Sequence, residues 1–153
     1  MEKTSSYTYF AISSHAELGK TGYVAYESGI FNPDDITNAL GIEPFDTNNY
    51  GDKKSNGMSW LTSGWCAEKS NKDRLDVEAQ CLDTIKNLKH KIPILNEIKK
   101  LYDVHFGLII VPTIYNGETP ILTFNKEIVE FCYLTGTEID VDMYVYPFDE
   151  EGE

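Results

Sequence analysis

The chain reads as a single α+β domain, in which an antiparallel or mixed sheet carries helices packed on one face. Three observations predict this class. Residues 104–115 are largely apolar at both alternating sets of positions, as expected of a strand inside a sheet. Two segments, 31–41 and 124–136, each carry a capping asparagine at their second position, run at helical spacing and stop at a glycine. Residues 7–12 and 138–146 alternate, which gives strands two unlike faces. The first of the two helical segments opens Phe31-Asn32-Pro33-Asp34-Asp35-Ile36, and the second opens Phe124-Asn125-Lys126-Glu127-Ile128-Val129. That echo suits a ferredoxin-like sandwich or a pseudo-duplicated variant.

In chain order, residues 7–12 are rich in strand formers, and 13–22 with two glycines read as loop or turn. Residues 23–27 read as a second strand, the return arm of a hairpin with the first. In the helix that follows, Asn32 caps and Pro33 suits the first turn, where its missing N–H costs nothing. Asp34 and Asp35 complement the positive end of the dipole, and Gly41 stops the helix. First-turn carboxylates so placed need no metal to explain them. Residues 43–57 form a long polar, turn-rich connection, the kind often mobile or functional. Residues 58–67, with Trp60 and Trp65, read as a strand.

Leu75, Val77, Cys81, Leu82, Ile85, Leu88 and Ile92 recur at helical spacing, which predicts a helix over 74–91. Ser70, three residues before Asp73, resembles a capping box. Pro93 breaks the run and starts a second helical segment, with Ile94, Ile98 and Leu101 facing inward. After the central strand come a turn at 115–120, a brief extended piece at 121–124, and a helix capped by Asn125 and ended by Gly136. In the last strand Val141, Met143 and Val145 take one face, and Asp140, Asp142, Tyr144 and Tyr146 the other. The ordered core is expected over 7–147, with 1–6 and 148–153 frayed.

At 153 residues and 41% hydrophobic content, one core forms without disulfide or metal staples. The apolar runs are too short to cross a bilayer, and residues 1–6 lack the apolar segment of a secretory signal. Cys66, Cys81 and Cys132 form no C-x-x-C pair, so the expected setting is the reducing cytoplasm. Net charge is −12 and unevenly spread: residues 1–52 hold eight acids and two bases, 53–103 seven and ten, 104–153 ten and one. Acidic flanks disfavour a phosphate backbone and suit a basic protein partner.

Catalytic motifs are absent. The cysteines sit in apolar patterns that suit core packing. His15, His90 and His105 carry no spacing signature, and no zinc-protease, nucleophile-elbow or phosphate-loop pattern occurs. Asp140 and Asp142 share a strand face and could contribute to a cation site or to acid–base work. Nothing else supplies the remaining ligands by spacing, so alternating acids on a wet face are the simpler account. No cofactor is expected. The phenols are more informative. Tyr7, Tyr9, Tyr144 and Tyr146 alternate, and with Asp140 and Asp142 they would form a tyrosine-rich, acid-dotted platform if they share one sheet face. A homodimer burying that face would use the same residues. The alternative function is a small-molecule sensor or enzyme with a cleft beside residues 43–57, lined by Asp52, Trp60 and Trp65.

One series of local patterns has a family counterpart. It runs from the aromatic strand through Asn32-Pro33-Asp34-Asp35-Ile36-Thr37, Leu40-Gly41-Ile42-Glu43-Pro44, Gly51-Asp52 and the Trp60 strand. The long amphipathic helix, Tyr102-Asp103, Phe124-Asn125-Lys126-Glu127-Ile128 and Asp140-Val141-Asp142-Met143-Tyr144-Val145 complete it. Over most of residues 7–147 this resembles the bacterial family called domain of unknown function 4279, with residues 13–22 as an insertion. The resemblance implies a compact bacterial α+β domain and carries no activity or catalytic residue to transfer. Together these readings predict a non-enzymatic interaction protein, by loose analogy an immunity-type inhibitor of a basic toxin.

Overall fold

A computed structural model describes residues 2–72 and 75–150. The elements in order are β1 (Ser5–Ser14), β2 (Ala16–Gly19), β3 (Gly22–Ala25), α1 (Pro33–Leu40), β4 (Asp46–Asn48), β5 (Gly64–Ala67), α2 (Val77–Ile85), α3 (Ile92–Leu101), β6 (Val104–Ile114), α4 (Lys126–Thr135), β7 (Glu138–Val141) and β8 (Tyr144–Val145). The main sheet has the order β4-β5-β1-β6-β7, with β8 also on β6. Pairing is antiparallel up to β6 and parallel at the β7–β8 edge. The chain is therefore α+β with a mostly antiparallel sheet, as its patterning predicts.

The centre is β1 against β6, in register from Ser5↔Thr113 to Ser14↔Val104. Even-numbered positions of both strands are buried: Phe10 and Ile12 on β1, Phe106, Leu108 and Ile110 on β6. They pack with Ile36 and Leu40 of α1, Val77, Cys81 and Ile85 of α2, Leu95 and Ile98 of α3, and Ile128 and Phe131 of α4. All four α-helices thus cover one face. Even positions near the start of β1 are polar yet equally buried, because α2 answers them. Thr8 Oγ1 and Thr84 Oγ1 are 2.7 Å apart, and Gln80 Nε2 donates to the Ser6 carbonyl at 2.9 Å. Satisfied pairs of this kind avoid the cost of a buried unmatched hydroxyl or amide.

Local signals are reproduced closely. Asn32 accepts from the Asp34 N–H, Asn125 accepts from the Ile128 N–H, and Gly41 and Gly136 close their helices at φ 67° and 63°. An L side chain would be strained in that left-handed region.

Pairing between distant segments differs from expectation. Residues 23–27 do not return along β1, whose two edges are taken by β5 and β6; β3 pairs instead with β2 across a short turn. The first strand starts at Ser5, and Thr4 is buried, with its hydroxyl donating to the Glu118 carbonyl and accepting from the Tyr115 N–H. Residues 4–6, expected frayed, are thus part of the fold. The strand expected over 58–67 begins only at Gly64. Residues 51–60 instead fold on themselves, with Gly51 N–H donating to the Trp60 carbonyl and Trp60 N–H to the Asp52 carbonyl. The helix expected over 74–91 runs Val77–Ile85 and is capped by Asp76; a 3₁₀ turn follows at Lys89–Lys91. The proposed capping box ends at Asp73, outside the described residues; Ser70 Oγ accepts from the Thr8 N–H instead. Leu101 is 74% exposed, because the chain turns outward there and Tyr102 packs on Phe31 in its place.

Candidate functional site

Since the helices take the even positions of β1 and β6, the odd positions face the other way. The register sets Tyr7 beside Val111, Tyr9 beside Ile109, Ala11 beside Gly107 and Ser13 beside His105. Parallel pairing adds Glu138 beside Gly107, Asp140 beside Ile109 and Tyr144 beside Thr113. From the other side come Cys66 opposite Ala11, and Asp46 opposite Cys66. No described α-helix contributes to the packing of this face. Gly107 and Val111 are buried there.

One half of the face is phenolic. The Tyr7 and Tyr9 rings are stacked at 6.1 Å, and Phe45 meets Tyr9 edge-on at 5.4 Å. Lys69 Nζ lies 4.4 Å above the Tyr7 ring. Tyr144 donates its hydroxyl to Asp142 Oδ2 at 3.1 Å, and Tyr146 stacks on Tyr115 at 4.7 Å and 9°. Tyr144 and Tyr146 keep 49% and 47% of their surface exposed. Burial pushes the Tyr9 hydroxyl up to about 12, helped by Cys66, Tyr7, Asp142 and Asp46. The hydrogen bond to Asp142, then its charge, raises Tyr144. The Tyr9 and Tyr144 hydroxyls therefore stay neutral at physiological pH.

The other half is built around His105. Its Nε2 lies 3.2 Å from Asp140 Oδ2 and its Nδ1 3.8 Å from Glu138 Oε2. Gly107, between His105 and Ile109 on this face, leaves the room they use. A Cβ there would stand 2.7 Å from Ile109 Cδ1, 3.2 Å from Asp140 Oδ2 and 3.5 Å from His105 Nε2. The His15 ring lies 6.3 Å from the His105 ring, and His15 Nε2 is 3.9 Å from Asp103 Oδ1.

All six residues singled out by alternation, Tyr7, Tyr9, Asp140, Asp142, Tyr144 and Tyr146, are therefore on one sheet face. The two aspartates are not a pair: Asp140 serves His105 and Asp142 serves Tyr144. The last strand is also interrupted at Asp142–Met143, although the alternation continues through the break. His105 and Glu138 were missed as site residues. The available signal was parity, since both fall on the same alternating set as the phenols or Asp140, but their meeting depends on a pairing between segments far apart in sequence.

The alternative cleft is dispersed. Trp65 is fully buried on the helix side, its Nε1 donating to Thr37 Oγ1 at 3.1 Å. A ring with no accessible surface cannot wall a ligand site. Trp60 is half-buried with Lys54 Nζ 4.4 Å over its ring, and Asp52 is exposed in the same turn. Recesses of about 540 and 230 Å³ lie elsewhere, beside Asp76 and Ile121 and beside Ile92 and Phe131. Burial is the main cause raising all three thiols, to about 11 at Cys66 and Cys132 and about 12 at Cys81, which leaves them poor nucleophiles.

A family model described as Domain of unknown function (DUF4279) matches residues 5–146. No curated protein and no solved structure matches the chain.

Proposed function

Since the chain belongs to the DUF4279 family over nearly its whole length, and that description supplies no activity, we propose from the geometry that this is a non-enzymatic docking protein whose open sheet face receives a basic segment of another protein. The observation that carries this reading is the convergence of Tyr7, Tyr9, Tyr144 and Tyr146 with Asp46, Asp140 and Asp142 on the face the helices leave uncovered. Stiff aromatic rings supply contact area at small entropic cost, and carboxylates beside them select cations. Lys69 over Tyr7 is an internal instance of the contact a partner lysine or arginine would make. Two copies meeting through this face would bring carboxylates together, so a basic partner is favoured over a homodimer. A basic toxin held by an immunity-type inhibitor is the biological case this chemistry suits.

An arginine-rich peptide titrated into the full chain tests the reading. Tyr144→Ala and Asp142→Asn should each weaken binding by roughly tenfold, the loss of an interface anchor. Glu127→Gln with Glu130→Gln, on α4 across the molecule, should leave it nearly unchanged. Equal losses from both sets would reduce the effect to net charge and end the proposal, as would failure to bind.

A further inference from the structure

We propose that the His105 end of the open face binds one divalent first-row transition cation through His105, Asp140 and Glu138. One ligand atom from each lies within 4.8 Å of the others. The 3.2 Å between His105 Nε2 and Asp140 Oδ2 is already the spacing of neighbouring ligands around a metal with bonds of about 2.0–2.2 Å. Glu138 Oε2 stands nearer the other ring nitrogen, 3.8 Å from Nδ1, so its exposed side chain swings toward Nε2 to close the third position, and water fills the rest.

Three independent features support a bound cation over a chance cluster. The donors stand on the paired strands β6 and β7, so their backbones are held by sheet hydrogen bonds and not by a loop. The glycine at position 107 leaves open the space beside both inner donors; a Cβ there would meet Ile109 Cδ1 first, at 2.7 Å, and then Asp140 Oδ2 at 3.2 Å. Charge also matches, since two carboxylates offset a doubly charged ion. Mixed nitrogen and oxygen donors select zinc, cobalt or nickel over magnesium or calcium, which prefer all-oxygen shells. His15, one ring away from His105, is placed to donate a second imidazole after a side-chain rotation.

This inference does not rest on the docking proposal. The test uses the full chain without a histidine tag, titrated with Co²⁺ and followed by its visible absorption, then with Zn²⁺ by calorimetry. One ion per chain is expected. His105→Ala and Asp140→Asn should abolish binding, and Glu138→Gln should weaken it by at least the ~10–100-fold that follows loss of even an outer-shell partner. His90→Ala, away from the cluster, should change nothing. Circular dichroism of each variant separates loss of the site from loss of the fold, and Zn²⁺-induced shifts of the His105 imidazole resonances give a second readout in the unmodified chain. Absence of binding at millimolar Co²⁺, or binding that survives His105→Ala, would leave only a histidine ion-paired with two carboxylates and overturn the proposal.

Discussion

Replacing Trp65 by phenylalanine probes the separation of helix side from open side. The indole is fully buried and bonded through Nε1 to Thr37 on α1. The smaller ring removes roughly 40 Å² of buried apolar area, about 1 kcal/mol at ~25 cal/mol/Å². A residual void of about 35 Å³ adds about 0.8 kcal/mol at ~24 cal/mol/Å³. The lost hydrogen bond adds about 0.5–1 kcal/mol, held down because the Thr37 hydroxyl keeps the Pro33 carbonyl as a partner. The total is about 2–3 kcal/mol, or roughly 5–10 °C in Tm for a chain of this size. Trp60→Phe, at a half-buried ring under Lys54, should cost less than about 1 kcal/mol. Urea unfolding with fluorescence detection measures both variants, and each emits from the one indole left: blue for buried Trp65, red for Trp60. Comparable losses from the two substitutions, or a red-emitting Trp65, would refute the placement of Trp65 in the core and return it to the surface cleft the sequence suggested.

Thr8→Val and Thr84→Val should each destabilise by about 1–3 kcal/mol, because the surviving hydroxyl is left buried; the double variant should cost clearly less than their sum, and additivity in denaturant melts would argue against the pairing. Tyr9 holds its proton to about pH 12 in the fold, whereas an unfolded tyrosine releases it near 10. Between those values the unfolded state binds fewer protons, so stability should fall as pH rises, and Tyr9→Phe should flatten that fall; an unchanged slope would contradict the burial of the hydroxyl. At pH 8 a thiol-directed disulfide reagent should modify Cys81 and Cys132 slowly in the native chain and rapidly in denaturant, with partly exposed Cys66 reacting before them; a fast native Cys81 or Cys132 would contradict their burial.

What the sequence discloses here is local chemistry. Asn32 with Gly41 and Asn125 with Gly136 mark their helices because cap and stop act over a few residues. Parity along a strand is equally local, which is why the shared face of Tyr7, Tyr9, Tyr144 and Tyr146 was readable. Pairing partners were not. Tyr23 is as good a strand former as Tyr9, and nothing nearby announces that both edges of β1 are reserved for segments far along the chain. The His105 cluster is hidden for the same reason: the helix α4 intervenes before Glu138, and the parallel register that sets it beside Gly107 leaves no spacing motif. Trp65 could be read as core, the simpler account, or as a cleft wall, because tryptophan near a polar loop looks alike whether its ring turns inward or outward; Thr37 decides for the core, and it lies on another element.

The position of β1 between β5 and β6 has a bearing on how the molecule is made. β1 leaves the ribosome roughly a hundred residues before β6, its partner on one side, so the middle of the sheet closes only after β6 has been made. Until then its tyrosine row and its unpaired backbone edge are open to other chains. A nascent fragment stopped before residue 104 should therefore stay chaperone-dependent, whereas one extending through β6 has what it needs to shut its own centre.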